Sequence, residues 1–265
     1  MMKKRIIAVF LAAALLLSFS ACGSGETDWA YIEKNGEIII GITYFEPMNY
    51  LDTSGKLVGF ETEFTEAVCE ILGVKPKFQE INWGSKVEEL NAKSIDVIWN
   101  GMTINETLKK ETEISVPYMK NNQVLIAKKG NAKALSASAD TKKIVAEIGS
   151  AGETTVKEEE FFKTSEYIGV DTQAKAVLEV ASGTADGCVI DLIAAVGMIG
   201  EGTDYPDLVI VENRAFGDEE YGIAVRKGDT ELIGKINDAI KQLKENGKLL
   251  ELAKKYNLEL LLITD

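Results

Sequence analysis

The chain has 265 residues, a length that suits two lobes. Hydrophobic residues make up 46 % and charged residues 27 %, which is typical of a folded globular protein. Lysine and arginine number 29 against 42 aspartates and glutamates, so the net charge of −13 argues against nucleic acid as a partner. The chain contains no histidine, which excludes Ser-His-Asp and Cys-His triads, histidine-bound zinc and a histidine general base.

Residues 1–21 have the features of a secretory signal peptide. A basic start at residues 3–5 precedes an apolar run at 6–17, which is too short to span a bilayer. Cys22 follows small residues in a pattern similar to a bacterial lipobox, so we expect it to carry a lipid. The alternative is a plain secreted protein in which this cysteine is incidental. Residues 22–36 are then the lipidated N-terminus and a tether.

The remaining sequence alternates between strand and helix patterns. Apolar spacing predicts a helix from Phe60 to Leu72 that Gly73 ends, and a capping-box pattern at Ser85–Glu88 opens another. A second capping box at Ser150–Glu153 begins the corresponding helix of a second unit. The predicted strands are 37–41, 95–99, 123–127, 143–148, 187–190, 208–211 and 221–225, and further helices are predicted at 172–181 and 232–243.

This alternation predicts an α/β fold of two lobes, each a mainly parallel sheet flanked by helices. The chain has only 4 prolines and no low-complexity linker, so we expect strands to join the lobes. Cys69 falls in a helical pattern and Cys188 in a strand pattern. Two buried free thiols are therefore favoured over a disulfide between them.

Several motifs resemble those of the family 3 extracellular solute-binding proteins, the polar amino-acid receptors of bacterial ABC importers. They occur in the family's order and spacing between about residues 37 and 256. The matching segments are Gly55–Glu61, Asp96–Ile104, Val116–Tyr118, Gly149–Gly152, Ile190–Asp191 and Tyr221–Gly228.

The resemblance implies a two-lobed, periplasmic-binding-protein-like fold of type II that closes on a ligand. Lobe 1 would comprise residues 37–123 plus 221–265, and lobe 2 would comprise residues 124–220. Two β crossovers would form the hinge. The ligand would be a small polar solute, most simply an amino acid, and the partners would be permease subunits and, through the lipid, the membrane. No cofactor, no metal and a monomeric, extracytoplasmic protein are expected.

The resemblance also assigns roles in ligand binding. Asp191 would bind the ligand's ammonium group, and the N–H groups of Ala151 and Gly152 would bind its carboxylate. The alternatives are that Asp191 only caps the following helix and that this glycine only relieves strain in a turn. The other expected ligand contacts are the aromatic rings of Phe45 and Trp83 and the loop residues Asn100, Gly101 and Thr103.

One position departs from the family pattern. The family normally has an arginine five residues after the position of Thr103, and this chain has Leu108 there. Lys109 and Lys110 follow, but each step along a helix turns the side chain by about 100°, so neither is an obvious substitute. Either backbone N–H groups and a lysine hold the carboxylate, or the ligand is not a standard α-amino acid.

Two other functions stay open at this stage. An enzyme similar to the cyclohexadienyl dehydratases would need a carboxylate as acid or base, for which Glu46 is the candidate. A sensor lipoprotein would bind the solute and dock on a receptor. We expect a binding protein rather than an enzyme.

Overall fold

The computed structural model describes residues 26–264. The signal peptide, Cys22 and the first tether residues lie outside the described residues. The helices are α1 (Asp28–Asn35), α2 (Phe60–Leu72), α3 (Lys86–Asn91), α4 (Glu106–Glu111), α5 (Lys129–Ala137), α6 (Ala151–Glu158), α7 (Gln173–Ser182), α8 (Leu192–Met198), α9 (Thr230–Glu245) and α10 (Lys248–Lys255).

Nearly all the strands join one sheet. They are β1 (Glu37–Ile42), β2 (Tyr50–Leu51), β3 (Leu57–Val58), β4 (Lys75–Glu80), β5 (Val97–Thr103), β6 (Thr112–Ile114), β7 (Met119–Lys128), β8 (Lys143–Glu147), β9 (Glu166–Val170), β10 (Gly187–Asp191) and β11 (Leu208–Arg226). The short strands β2 and β3 pair only with each other within the described residues.

The main sheet has parallel strands at both ends and antiparallel strands in the middle. Its order is β4-β1-β5-β11-β7-β10-β8-β9, and β6 pairs with β11. β1 runs parallel to β4 and β5, and β8 runs parallel to β9 and β10. The long strands β7 and β11 run antiparallel to each other and to their outer neighbours. The mixed α/β fold with two mainly parallel groups joined by strands is confirmed.

The region from residue 208 to 226 differs from the prediction. We expected two strands there, and the structure has the single strand β11. Polar residues between the two apolar runs still pair with β7, through register shifts between Ile210 and Ala215 and between Phe216 and Glu219. Backbone pairing thus continues where the apolar pattern is interrupted.

The segment after the lipobox also differs from the prediction, because part of the expected tether is helical. Helix α1 is capped by the Thr27 hydroxyl and buries Trp29 and Ile32 against the body of the protein. Asp28 accepts hydrogen bonds from Arg226 and Lys93. Two buried apolar side chains and two ion pairs hold this helix on the body of the protein.

The helical predictions are confirmed with one local correction. Helix α2 buries Phe60, Phe64 and Val68 on one face and ends at Gly73, whose φ of 74° lies in the left-handed region. Ser85 precedes α3 but makes no capping bond, because its hydroxyl donates to the Asn82 carbonyl instead. The chain here enters α3 through a short 3₁₀ turn.

The two described cysteines are free and buried, as predicted. Burial raises the pKa of the Cys69 thiol to about 12 and that of Cys188 still further. Both thiols are therefore core side chains. Over residues 26–264, the structure has no helix that is both long and apolar enough to cross a membrane.

Candidate functional site

A narrow cleft lies at the carboxyl ends of strands β5 and β10, next to the segments that follow β1 and β8. Its cavity volume is about 20 Å³, so the two walls of the cleft lie close together. We call its two surfaces the β5 side and the β10 side. The β5 side is formed by Thr43, Phe45, Trp83, Lys86, Asn100, Gly101, Met102, Thr103, Asn105 and Leu108. The β10 side is formed by Glu147, Gly149, Ser150, Ala151, Gln173 and Asp191.

Asp191 is the last residue of β10 and is held by three side-chain amides. Its Oδ1 accepts from Asn121 Nδ2 at 2.8 Å and from Gln123 Nε2 at 2.5 Å, and its Oδ2 accepts from Gln173 Nε2. A carboxylate has about four acceptor sites, so one on Oδ2 is left without a donor from these amides. Asp191 stands at the N-cap of α8, but its side chain makes no capping bond.

Burial raises the pKa of Asp191 to about 6, and the nearby charge of Glu219 adds to this effect. The hydrogen bonds from the three amides lower it in part. Glu219 Oε2 accepts from the Asn121 and Gln123 amides at 2.9 Å and from the Thr103 hydroxyl at 3.1 Å. A network of amides thus joins both sides of the cleft behind Asp191.

Helix α6 begins at the cleft. The Ser150 hydroxyl accepts from the Glu153 N–H at 3.1 Å, and Glu153 Oε2 accepts from the Gly149 N–H at 2.7 Å. The predicted capping box is therefore present, with its return bond displaced by one residue. The first N–H groups of a helix lack intrahelical acceptors and carry partial positive charge, which makes this end of α6 suited to an anion.

Ala151 lines the cleft, whereas Gly152 lies behind the lining. A Cβ at Gly152 would come within 2.6 Å of the Val189 carbonyl oxygen and 3.1 Å of Gln123 Oε1. The absence of a side chain at Gly152 lets α6 pack closely on β10.

On the β5 side, the backbone turn at Gly101 is fixed from behind by Glu61. The Gly101 N–H donates to Glu61 Oε1 at 2.8 Å, and Tyr118 donates its hydroxyl hydrogen to the same oxygen. Asn49 Nδ2 donates to Glu61 Oε2 at 2.8 Å. Burial raises the pKa of Glu61 to about 7, although these hydrogen bonds work against the rise.

Gly101 cannot be replaced by a larger residue without displacing an aromatic ring. Its φ is +54°, and a Cβ there would come within 2.7 Å of Phe45 Cζ. The neighbouring Asn100 accepts the Thr43 N–H through Oδ1, while its buried Nδ2 has no hydrogen-bond partner. The β5 side thus offers an unsatisfied donor to the cleft.

Lys86 crosses the cleft from the β5 side and contacts the β10 side. Its Nζ donates to the Gly149 carbonyl at 2.8 Å and to the Trp83 carbonyl at 3.2 Å, and it lies 4.7 Å from the centre of the Trp83 ring. Burial lowers the pKa of Lys86, and the charge of Glu147 partly restores it. The two sides also meet at glycines, since a Cβ at Gly149 would lie 2.8 Å from Gly84 Cα.

Glu147 is the last residue of β8 and is only 2 % exposed. Its Oε1 is buried and has no hydrogen-bond partner. Burial raises the pKa of Glu147 to about 8, the charge of Asp191 raises it further and the charge of Lys86 lowers it. Oε1 of Glu147 is therefore a buried acceptor in the cleft lining that receives no hydrogen bond from the protein.

The structure places Leu108, where an arginine would be usual, in the cleft lining and 6 % exposed. Lys109 turns to the surface and pairs with Glu106 at 2.8 Å. Arg226 pairs with Asp28 and Asp96 in the body of the protein. In the described part of the chain, Lys86 is the one basic side chain in this lining.

The enzyme alternative had assigned its acid or base to Glu46, which is exposed and absent from the cleft lining. Partial desolvation of its carboxyl and the charge of Asp204 raise the pKa of Glu46. Within residues 26–264, no group of three or more Cys, Asp or Glu side chains is arranged to hold a metal ion.

Most of the predicted site residues come together in the cleft. Phe45, Trp83, Asn100, Gly101, Thr103, Ala151 and Asp191 all line it, and Gly152 does not. Three further side chains of the cleft are not predicted by the sequence patterns, namely Lys86, Glu147 and Gln173. Of these three, only Glu147 had a usable signal, as an acidic residue at the end of an otherwise apolar strand.

The sequence model of the bacterial extracellular solute-binding proteins, family 3, matches residues 38–259. The L-cystine-binding protein TcyJ of Escherichia coli K12 is 27 % identical over 228 residues, which cover 85 % of this chain and 84 % of that protein. The arginine-binding extracellular protein ArtP of Bacillus subtilis is 29 % identical over 259 residues, which cover 96 % of this chain and 98 % of that protein.

Solved structures agree with these matches. The ancestral amino acid-binding protein AncCDT-1, a precursor of cyclohexadienyl dehydratase, superposes with a TM-score of 0.78 at 30 % identity. The match covers 87 % of this chain and 99 % of that structure. All three similar proteins are named as binding proteins.

Proposed function

The chain belongs to the bacterial extracellular solute-binding proteins of family 3, and from this premise we propose that it captures an amino acid outside the cytoplasm and delivers it to the permease of an ABC importer. The observation that carries the proposal is the arrangement on the β10 side. There, an amide-bound carboxylate and the N-terminus of a helix face one cleft. These groups complement the ammonium and the carboxylate that every free α-amino acid presents.

In this binding mode, Asp191 accepts the ammonium through the free acceptor site on Oδ2. The amides of Asn121, Gln123 and Gln173 hold the carboxylate in place before the ligand arrives, so little conformational entropy is lost on binding. The ligand's carboxylate lies at the start of α6 near Ala151, with Lys86 as its cationic partner. Lys86 would replace the missing arginine.

The rings of Phe45 and Trp83 cover the apolar part of the ligand. We propose that the lobes are residues 37–123 plus 221–265 and residues 124–220, which move about β7 and β11. The bond from Lys86 to the Gly149 carbonyl would break when the cleft opens, so it favours the closed form. Ligand binding would drive closure through its higher affinity for that form.

We also propose that the protein is a monomer anchored to the outer face of the membrane through a lipid on Cys22. In a Cys22→Ala variant the protein should move from the membrane fraction to the medium or the periplasm. Retention of this variant on the membrane would overturn the anchor.

Capture without turnover is proposed because the named relatives are binding proteins. The cleft does contain carboxyls with raised pKa values, so the enzyme alternative has a direct test. Incubation with prephenate should yield no product. Product formation that depends on Glu147 or Asp191 would favour the dehydratase alternative.

The test of the proposed function is a thermal-shift screen of the purified protein against the twenty amino acids and cystine. A ligand present at 100 times its Kd stabilises the folded state by about 2.7 kcal/mol, which gives a clear rise in Tm. Asp191→Ala should weaken binding of the hit by more than tenfold, because the ammonium would be buried without a partner.

The matched control is Asp207→Ala, which removes the same charge at an exposed position outside the cleft. It should leave the affinity within twofold of wild type. The proposed function would be contradicted if no amino acid raised the Tm, or if a folded Asp191→Ala protein kept the wild-type affinity.

A further inference from the structure

Glu147 differs from the other acidic groups around the cleft in having no protein partner for one of its oxygens. The residue lines the cleft, is 2 % exposed and leaves Oε1 without a hydrogen bond. A buried acceptor without a donor is destabilising, and more so when it is charged. Such an atom at the edge of a binding cleft points to a donor that the ligand supplies.

The nearby lysine does not satisfy this oxygen. Lys86 Nζ donates to the Trp83 and Gly149 carbonyls, so two of its three hydrogens are already directed to neutral acceptors. Lys86 acts on Glu147 only through its charge.

The charges of the lining are unequal. Its ionisable side chains, taken over the described residues, are Glu147, Asp191 and Lys86. When all three are ionised, the lining carries a net charge of −1. With a zwitterionic ligand whose side chain is neutral, Glu147 must either stay protonated or be buried as an uncompensated charge. A ligand with one additional positive charge neutralises it.

We propose that Glu147 binds a cationic group at the end of the ligand's side chain, so that the cleft selects basic amino acids over neutral ones. This inference rests on the proposed function, because it takes the ligand's α-ammonium to be bound by Asp191. A guanidinium or ammonium group would donate to Oε1 in a charge-assisted hydrogen bond. Glu147 thereby determines specificity, and Asp191 determines general amino-acid binding.

The unpaired Nδ2 of Asn100 is compatible with this assignment. It is a buried donor on the opposite side of the cleft, so it suits an oxygen of the ligand. An amino acid with a basic side chain supplies both a carboxylate oxygen and a cationic donor. A simple diamine supplies only donors.

The test measures the affinities of the purified protein for matched ligand pairs by titration calorimetry. L-arginine is compared with L-citrulline, which has the same shape without the charge, and L-lysine with L-norleucine. We expect at least one basic amino acid to bind more than tenfold more tightly than its neutral match. Glu147→Gln should bring that ratio to below threefold, and Glu147→Asp should give an intermediate ratio.

The control is Glu158→Gln, an exposed carboxylate at the end of α6 outside the cleft, which should keep the wild-type ratio. A Tm within a few degrees of wild type verifies that each variant is folded. Equal affinity for basic and neutral ligands, or an unchanged ratio in Glu147→Gln, would overturn the inference while leaving the proposed function intact.

Agmatine, which is arginine without its carboxylate, separates the two proposals. If agmatine bound in a Glu147-dependent way and no amino acid bound, the result would support the cation site at Glu147 and contradict the proposed amino-acid function. If none of these cationic compounds bound, the inference would be overturned.

Discussion

Glu61 and Glu147 are both buried glutamates beside the same cleft, but they differ in their hydrogen-bond partners. Glu61 lies behind the β5 side and accepts hydrogen bonds from Tyr118, Gly101 and Asn49. Glu147 lies on the β10 side, faces the cleft directly and leaves Oε1 unpaired. Burial raises the pKa of both carboxyls, to about 7 and about 8 respectively.

The difference separates a structural carboxyl from a recognition carboxyl. Three donors around Glu61 fix the turn that carries Gly101, so removing this side chain would release the β5 side of the cleft. Removing the Glu147 side chain would leave no hydrogen-bond donor without an acceptor at Oε1. Burial and a shifted pKa are therefore insufficient to identify a ligand-binding group; the hydrogen-bond partners distinguish the two roles.

The largest effect is expected for Glu61→Ala, which tests whether Glu61 has a structural role. The change leaves the Gly101 N–H, the Tyr118 hydroxyl and an Asn49 N–H without their acceptor, at about 1 kcal/mol or more each. We expect the free energy of unfolding to fall by about 3 kcal/mol in urea denaturation.

Glu66→Ala, on the exposed face of the same helix, is the matched control and should change stability by less than about 0.5 kcal/mol. A loss below about 1 kcal/mol in Glu61→Ala would mean that this carboxyl does not organise the β5 side.

The pH dependence of stability follows from the same two carboxyls and from Asp191. Their pKa values in the folded protein exceed the ordinary values of 4.5 for glutamate and 3.8 for aspartate, so the folded state keeps protons that the unfolded chain has released. Stability should therefore fall as pH rises from 5 to 8, by about 1.4 kcal/mol per pH unit for each such proton. Urea midpoints across this range measure the slope.

Glu61→Gln should reduce this slope by about one proton between pH 5 and 7. In carboxyls such as Asp28 and Glu153, burial raises the pKa, but hydrogen bonds and nearby positive charges together outweigh it, so their pKa values are lowered and they act only below this range. A flat profile from pH 5 to 8 in the wild-type protein would contradict the raised pKa values.

Sequence patterns predicted those parts of the cleft that depend on local structure. Asp191 ends a buried strand and Ala151 begins a capped helix, so the pattern of each segment places both residues at the edge of the sheet. The continuous β11 was missed because backbone pairing with β7 carries it through a polar stretch that has no strand pattern.

The missed site residues depend on contacts between distant segments. Lys86 stands at the start of a helix, where a lysine is usually solvated, and reaches the cleft only because α6 begins opposite it. Gln173 bonds with Asp191, 18 residues further along the chain. No periodic pattern within either segment predicts these contacts, because the contacts depend on the order of the strands in the sheet.

The last expected effect has the opposite sign and is on the stability of Glu147→Gln. At pH 8.5 the wild-type carboxyl is largely ionised and buried with an unpaired oxygen, whereas glutamine carries no charge, so we expect a gain of at least about 1 kcal/mol. At pH 5 the wild-type carboxyl is protonated and the gain should vanish. Urea denaturation at both pH values, without ligand, measures the difference. A loss of stability similar to that of Glu61→Ala would show that Glu147 also supports the fold, and the distinction between the two glutamates would fail.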